Sequence, residues 1–180
     1  QGTLLASRLL GNALLSKNYD VKVSEVHGMS QRGGSVVTYV KYGSKVASPI
    51  VALGEADLIL SFEQLEAARW LPYLKKGGTI ITNTQKMDPM PVVMGAAEYP
   101  HDILDAIRAK GVNLVAVDAL SMAVEAGSAK AVNVALIGVM ARNMDLEKQV
   151  WKDTIAATVP AKFLEMNEKA FELGYASQGE

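Results

Sequence analysis

The spacing of apolar positions changes several times along the chain, and each change predicts an element. Residues 3–17 carry a helical repeat of small and apolar side chains at Ala6, Leu10, Ala13 and Leu14. Residues 20–26 then alternate valine with polar residues, and residues 35–42 are rich in β-branched and aromatic side chains. The chain is therefore predicted to open with an amphipathic helix followed by two strands.

The middle of the chain alternates short apolar runs with helical segments. We predict strands at 57–62, 79–83 and 113–118, and helices at 63–71 and 101–110, the latter stopped by Gly111. A turn at Gly43 is expected to form a hairpin that leads into Val46 and Ala47, before Pro49. Strand and helix in alternation favour a parallel sheet.

From Ser121 onward we expect helices only. Segments 128–144, 149–158 and 161–173 have helical spacing, and the first is apolar on almost every side, which is typical of a helix buried between layers. The predicted fold class is α/β: a Rossmann-like, mostly parallel sheet flanked by helices, with a C-terminal helical cap and one hairpin. Residues 1–180 are interpreted as a single domain. Because the first helix of such a fold follows a strand, we also expect a first strand that this sequence lacks.

The amino-acid composition excludes several kinds of partner and cofactor site. Lys and Arg number 18 against 19 Asp and Glu, for a net charge of −1, so no basic surface for nucleic acid is predicted. No apolar run reaches 18 residues, and we expect a cytoplasmic protein without a membrane partner. The absence of cysteine excludes disulfides and all-thiolate iron–sulfur ligation, and two histidines leave little for a metal site.

One polar, glycine-rich segment stands out between the first two strands. Residues 24–35 (SEVHGMSQRGGS) combine glycines that permit close backbone approach with side-chain donors, at Ser30, Gln31, Arg32, Gly33 and Gly34. Gln1 and Gly2 add a glycine turn at the start of the first helix, where free N–H groups can hold an anion. These residues are the candidate binding site for an anion or a partner loop; the alternative is a plain surface connection.

These features resemble a known family. The sequence resembles the gamma-type subunit of 2-oxoacid:ferredoxin oxidoreductases, and among these most of all the small subunits of the indolepyruvate enzymes. The residues that carry the resemblance are Gln1-Gly2-Thr3 at the first helix, the block from Ser24 to Ser35, Phe62-Glu63, Gly77-Gly78 and the helix around Asn133. The matches extend over nearly the whole chain. The Ser-Gln-Arg-Gly-Gly block is the most specific of them.

The resemblance implies a subunit that is active only in a complex. Family enzymes oxidatively decarboxylate a 2-oxoacid with thiamine diphosphate, pass electrons through iron–sulfur clusters to ferredoxin and transfer the acyl group to coenzyme A. Thiamine diphosphate, its Mg²⁺ and the clusters are expected on a large partner subunit. This chain is expected to bind none of them alone and to contact coenzyme A or the partner through the candidate residues. Subunits of pyruvate, 2-oxoglutarate or phenylglyoxylate enzymes, or a stand-alone nucleotide-binding module, remain alternatives.

Several single residues have a structural and a functional interpretation. His27 is expected to be a hydrogen-bonding loop residue rather than a catalyst, and Asn133 to satisfy a buried backbone group. Asp20 or Glu25 could serve as the acidic residue of a dinucleotide site, although a surface role is favoured. Methionines 87, 90 and 94 are expected to fill gaps, and the alternative is that they face a partner subunit. Trp70 and Trp151 are candidate anchors in the core or an interface.

Overall fold

The computed structural model describes residues 2–25 and 35–179 of the chain. Within these ranges the strands are β1 (Asp20–Glu25), β2 (Thr38–Gly43), β3 (Ala56–Ser61), β4 (Leu74–Asn83) and β5 (Asn113–Val117). The α-helices are α1 (Thr3–Ser16), α2 (Gln64–Trp70), α3 (Met90–Val93), α4 (Ile103–Arg108), α5 (Ala119–Ala126), α6 (Val132–Arg142), α7 (Lys148–Thr158) and α8 (Leu164–Ala176).

The central feature is a parallel sheet in the order β3-β4-β5. Ile59 lies opposite Ile80, and Ile80 lies opposite Leu114, so apolar side chains line up across all three strands. Helices α2 and α4 occur in the connections between these strands, as the long crossover between parallel strands requires. The predicted α/β fold with helices flanking a parallel sheet is confirmed.

The antiparallel pair is formed by β1 and β2, in which Glu25 lies opposite Thr38 and Asp20 opposite Gly43. The hairpin predicted at the Gly43 turn is therefore in the wrong place, since Val46 and Ala47 lie in no strand. The ladder ends at Asp20 and Gly43, and three residues further on Val46 N–H donates to the Asp20 carboxylate at 2.8 Å. A side-chain acceptor thus replaces the expected strand pairing.

The core lies around α6, on which all residues from Asn133 to Ala141 are buried. Helix α8 packs against α6 so closely that glycine is required on both helices, at Gly138 and Gly174. Helix α1 packs against α6 and α7 and buries Leu9, Ala13 and Leu14. The predicted C-terminal helical cap is confirmed, with its first helix buried as expected.

Two parts of the chain differ from expectation. Helix α5 was not predicted. It begins directly after Asp118, whose carboxylate caps the helix by accepting a hydrogen bond from Ser121 N–H at 3.0 Å. Methionines 87, 90 and 94 are all exposed, so the expectation that they fill gaps is wrong.

Trp151 is buried in the core, which was one of the two roles considered for it. No helix within the described ranges is long and apolar enough to cross a membrane.

Candidate functional site

The first predicted site residue, Gly2, caps α1 in a conformation that favours glycine. Its φ is 105°, in the left-handed region. A Cβ at this position would lie 3.1 Å from Asn133 Cβ and 3.4 Å from Phe62 Cε1. Gly2 is therefore required both by its backbone conformation and by the close approach of two other elements, the carboxyl end of β3 and the first turn of α6.

The same contact brings two helix N-termini together. Helix α1 has 14 residues and α6 has 11, and neither has an acidic side chain in its first turn. Each helix N-terminus carries roughly half a positive charge from aligned peptide dipoles. Because no carboxylate of either first turn neutralises them, the two dipoles together favour an anion beside Gly2.

The Asn133 side chain helps to hold this junction. It is buried, and its Oδ1 accepts a hydrogen bond from Val134 N–H at 2.9 Å. The expectation that Asn133 satisfies a buried backbone group is confirmed. An unpaired amide at this position would cost about 1–3 kcal/mol.

Next to Phe62, the buried carboxylate of Glu63 organises the carboxyl edge of the sheet. One of its oxygens caps α2 by accepting from Glu66 N–H at 2.9 Å, and the other accepts from the Tyr99 hydroxyl and from Met87 N–H at 3.4 Å. Burial, together with this hydrogen bond to a carboxylate, raises the pKa of Tyr99 well above its usual value. Tyr99 therefore remains a neutral donor, and Glu63 ties the chain after β4 to the start of α2.

Two amide side chains complete this edge. Gln64 Nε2 donates to the Thr84 carbonyl at 2.8 Å, and the fully buried Asn83 accepts from Ala119 N–H at 3.1 Å. The residues that follow β3, β4 and β5 are thus hydrogen-bonded to one another. Ligands of open α/β sheets bind at this carboxyl edge, and the Gly2 junction lies beside it.

The residues on either side of segment 26–34, Glu25 and Ser35, are hydrogen-bonded to helices. Before this segment, Ser7 Oγ on α1 donates to Glu25 Oε1 at 3.2 Å. After it, the Ser35 hydroxyl donates to Glu66 and accepts from Trp70 Nε1 at 3.4 Å. The chain is therefore held by α1 just before residues 26–34 and by α2 just after them.

The family model for pyruvate ferredoxin/flavodoxin oxidoreductase matches residues 1–177. The chain belongs to this family. Its sequence is 45% identical to the indolepyruvate oxidoreductase subunit IorB of Thermococcus kodakarensis, over 97% of this chain and 89% of that protein. Identity to the common gamma subunit of the pyruvate/ketoisovalerate oxidoreductases of Thermococcus litoralis is 23%, over 96% of this chain and 90% of that protein.

The fold comparison agrees with the family. The gamma subunit of a keto/oxoacid ferredoxin oxidoreductase from Geobacter sulfurreducens superposes with a TM-score of 0.70 at 20% identity, covering 97% of this chain and 89% of that one. The resemblance to gamma-type oxidoreductase subunits is therefore confirmed. The chain is a small subunit of an oxidoreductase complex, and its sequence lies nearer to the indolepyruvate group than to the pyruvate/ketoisovalerate group.

Only one of the predicted site residues lies within the described ranges. Gly2 lies at the junction of α1, β3 and α6, as described above. The other predicted residues lie outside the described ranges and stay predictions: Gln1, Ser30, Gln31, Arg32, Gly33 and Gly34, together with His27. Sequence reasoning assigned no role to Phe62 or Glu66, although Phe62 ends the predicted strand 57–62, where side chains reach the carboxyl edge.

The acidic residues considered for a dinucleotide have other contacts. Asp20 pairs with Lys22 at 2.5 Å, and this hydrogen bond lowers the pKa of the Asp20 carboxyl. Glu25 accepts from Ser7, as described above. Both findings agree with the favoured surface role. In the part of the chain that the structure describes, no group of three or more His, Cys, Asp or Glu side chains is arranged to hold a metal ion.

Proposed function

We propose that this chain is the small subunit of a cytoplasmic 2-oxoacid:ferredoxin oxidoreductase that acts on indolepyruvate or another aryl pyruvate, and that it helps to bind coenzyme A. In this reaction the 2-oxoacid loses CO₂, the acyl group is transferred to the coenzyme A thiol and two electrons pass to ferredoxin. The 45% identity to an indolepyruvate oxidoreductase subunit supports the substrate class. The family supports the reaction class.

The convergence of two helix N-termini at Gly2 is the observation that carries the coenzyme A proposal. Coenzyme A bears a diphosphate and a further phosphate, and helix N-termini bind such groups through dipoles and backbone N–H donors. The glycine at this position lets the side chains of Asn133 and Phe62 approach the N-terminus of α1 closely. Arg32 would add a guanidinium that can contact phosphate with two parallel hydrogen bonds. Ser30, Gln31, Gly33 and Gly34 would supply further donors beside it.

The redox cofactors are assigned to a large partner subunit. These 180 residues contain no cysteine, and thiolates are the ligands on which ordinary iron–sulfur clusters depend. We therefore expect thiamine diphosphate, Mg²⁺ and the clusters on the partner, with ferredoxin reduced by the assembled complex. Purified alone, the chain should be colourless and inactive, and should gain 2-oxoacid oxidation only with the large subunit. A visible iron–sulfur spectrum from the isolated chain would contradict this assignment.

Substitution of Arg32 tests the binding role. Arg32→Lys keeps the charge but loses the paired hydrogen bonds, so we expect a roughly 10- to 150-fold loss in coenzyme A use or in affinity for the large subunit, equivalent to about 1.5–3 kcal/mol. Titrating the reconstituted complex with coenzyme A, and separately with the large subunit, distinguishes the two roles. Arg108→Lys is the matched control, because Arg108 forms an exposed ion pair with Asp105 on α4.

Two outcomes decide the proposal. A weaker coenzyme A response for Arg32→Lys, with an unchanged response for Arg108→Lys, supports direct phosphate binding. If Arg32→Lys and Arg32→Ala both leave the two titrations unchanged, the segment is only a surface connection and the binding role is wrong.

A further inference from the structure

The connection between β4 and α4 exposes an apolar surface that no part of the described chain covers. Residues 89–97 (PMPVVMGAA) carry no charged or polar side chain, yet most of them are exposed. Met94 is 74% exposed and Val93 65%, and Met87 and Met90 are 54% and 46% exposed. A run of exposed apolar residues is unfavourable in water and is typical of a binding surface.

Four of these side chains form one continuous face. Met90, Val93 and Met94 are spaced by three and four residues on the single turn of α3, so they lie on the same side of it. Met87 precedes Met90 by three residues, where the chain enters this turn. We call these four side chains the methionine face.

The methionine face is held in place by hydrogen bonds at both ends of the connection. Met87 N–H and the Tyr99 hydroxyl both donate to the buried carboxylate of Glu63, the former at 3.4 Å. Between them, Ala96 N–H donates to the Pro91 carbonyl at 2.8 Å and closes the loop on itself. The face is therefore ordered before any partner binds, which reduces the conformational entropy lost on association.

The distribution of apolar and charged residues is that of an interface. Methionine is enriched in the cores of interfaces, and charged residues are confined to the rim. Here the uncharged run is bounded by three exposed charged residues, Lys86, Asp88 and Glu98. A standard interface takes about 800 Å² from each partner, so the methionine face can form the core of one while its rim supplies the remaining area.

The net charge of the rim favours a different subunit over a second copy of this chain. Asp88 and Glu98 against Lys86 leave an excess of negative charge. A two-fold contact of the face with itself would bring the same excess onto both sides, and like charges oppose each other across an interface. A larger subunit with an apolar patch and a basic rim would meet no such repulsion. The chain belongs to an oxidoreductase complex, so such a partner exists.

We propose that the methionine face is the docking surface for the larger subunit of this complex. The proposal goes beyond the coenzyme A role and does not depend on it. It also accounts for the exposure of three methionines that the fold itself leaves without a packing role.

Substitution of Met94 tests the docking surface. Met94→Glu should weaken the affinity of the full chain for the larger subunit at least roughly 100-fold, because its carboxylate would leave water without a partner. Met94→Leu keeps an apolar side chain and should bind like the unmodified chain. Leu53→Glu is the matched control, because Leu53 is 68% exposed and lies just before β3, at the opposite edge of the parallel sheet. Isothermal titration calorimetry gives the affinities, and thermal unfolding checks the fold.

Oxidation of the methionines provides a readout that needs no substitution. Hydrogen peroxide transfers one oxygen atom to a methionine thioether, which gives the sulfoxide and water. In the isolated chain, Met90 and Met94 should oxidise much faster than Met140, which is buried in the core. Adding the larger subunit should slow the oxidation of Met90 and Met94 roughly tenfold, as measured by mass spectrometry of peptides. Free methionine in the same solution controls for peroxide consumed by the larger subunit.

The outcomes separate the possible occupants of the face. Equal affinities for Met94→Glu and Leu53→Glu, or oxidation rates unchanged by the larger subunit, would overturn the proposal. A dimer of the isolated chain that Met94→Glu converts to a monomer, with binding of the larger subunit retained, would assign the face to a second copy instead. The coenzyme A role is measured in the assembled complex and the docking surface by assembly itself, so either proposal can fail without the other.

Discussion

Replacing Gly174 with alanine should destabilise the fold, whereas the same replacement at Gly11 should stabilise it slightly. Both glycines lie inside α-helices, so their intrinsic helix propensities are the same. Their surroundings differ. A Cβ on Gly174 would overlap the Ala135 carbonyl oxygen on α6 and lie 2.8 Å from its carbonyl carbon, whereas a Cβ on Gly11 would meet its nearest neighbour, Val23 Cγ2, at 4.0 Å.

The magnitude follows from the overlap. Nonbonded carbon atoms prefer separations of about 3.5–4.0 Å, so α6 and α8 would have to move apart by about 0.7 Å or more at Gly174. Overpacking of this kind costs about 1–3 kcal/mol and occasionally more, and the gain in helix propensity returns about 1 kcal/mol at most. Because the overlap with the Ala135 carbonyl is severe, the upper end of this cost applies, and we expect Gly174→Ala to lower the free energy of unfolding by about 2 kcal/mol. Gly11→Ala should raise it by up to about 1 kcal/mol.

Thermal and urea unfolding of the purified chain would measure both effects. For a domain of this size, 1 kcal/mol corresponds to about 2–4 °C in Tm, so Gly174→Ala should lower the Tm by about 4–8 °C. Gly138→Ala approaches the same helix contact from α6, since its Cβ would lie 2.8 Å from Tyr175 N. A Gly174→Ala variant that is as stable as the unmodified chain would refute the close backbone contact between α6 and α8.

Two further predictions concern pH. Burial and the hydrogen bond to Glu63 raise the pKa of Tyr99. The contribution of neutral Tyr99 to stability is therefore complete below about pH 10 and is lost as the pH rises further. In urea unfolding between pH 7 and 11, Tyr99→Phe should lose less stability than the unmodified chain. The pKa of Asp118 is lowered by hydrogen bonds from Ser121, so its capping of α5 is present above its usual pKa of 3.8 and is lost as the pH falls below that value. Asp118→Ala should cost about 1 kcal/mol at pH 7 and progressively less below pH 4; a constant difference across this range would contradict the cap.

Local patterns predicted most of the elements. The valines of β1, the β-branched residues of β4 and the helical repeat of α1 follow periods of 2 and 3.6, which depend only on neighbours within a few residues. Helix α5 was missed because Ala119–Ala126 follows a strand without a break and its start is marked by one capping residue, Asp118. The hairpin was misplaced because a glycine turn at Gly43 indicates a change of direction but does not specify which strand will be the partner.

The exposed methionines show a different limit of sequence patterns. Met87, Met90 and Met94 are apolar residues in a proline-rich connection, and nothing in their spacing distinguishes a buried side chain from an exposed one. This connection is attached to Glu63 through Met87 N–H and the Tyr99 hydroxyl, which lie 24 and 36 positions further along the chain. Burial is thus decided by contacts between distant segments.

By itself, the sequence determined the α/β class, the C-terminal helices and the family, and the absence of cysteine excluded thiolate-bound clusters on these residues. It also singled out Gly2 as a glycine turn at the start of the first helix that could hold an anion. Only the tertiary structure showed that Gly2 meets Phe62 and Asn133, and that Ser35 is held by α2. The physical reason is that the packing of α1 and α6 beside the carboxyl end of β3 makes neighbours of residues 60 and 131 positions apart, whereas sequence periodicity reports only on contacts within a single element.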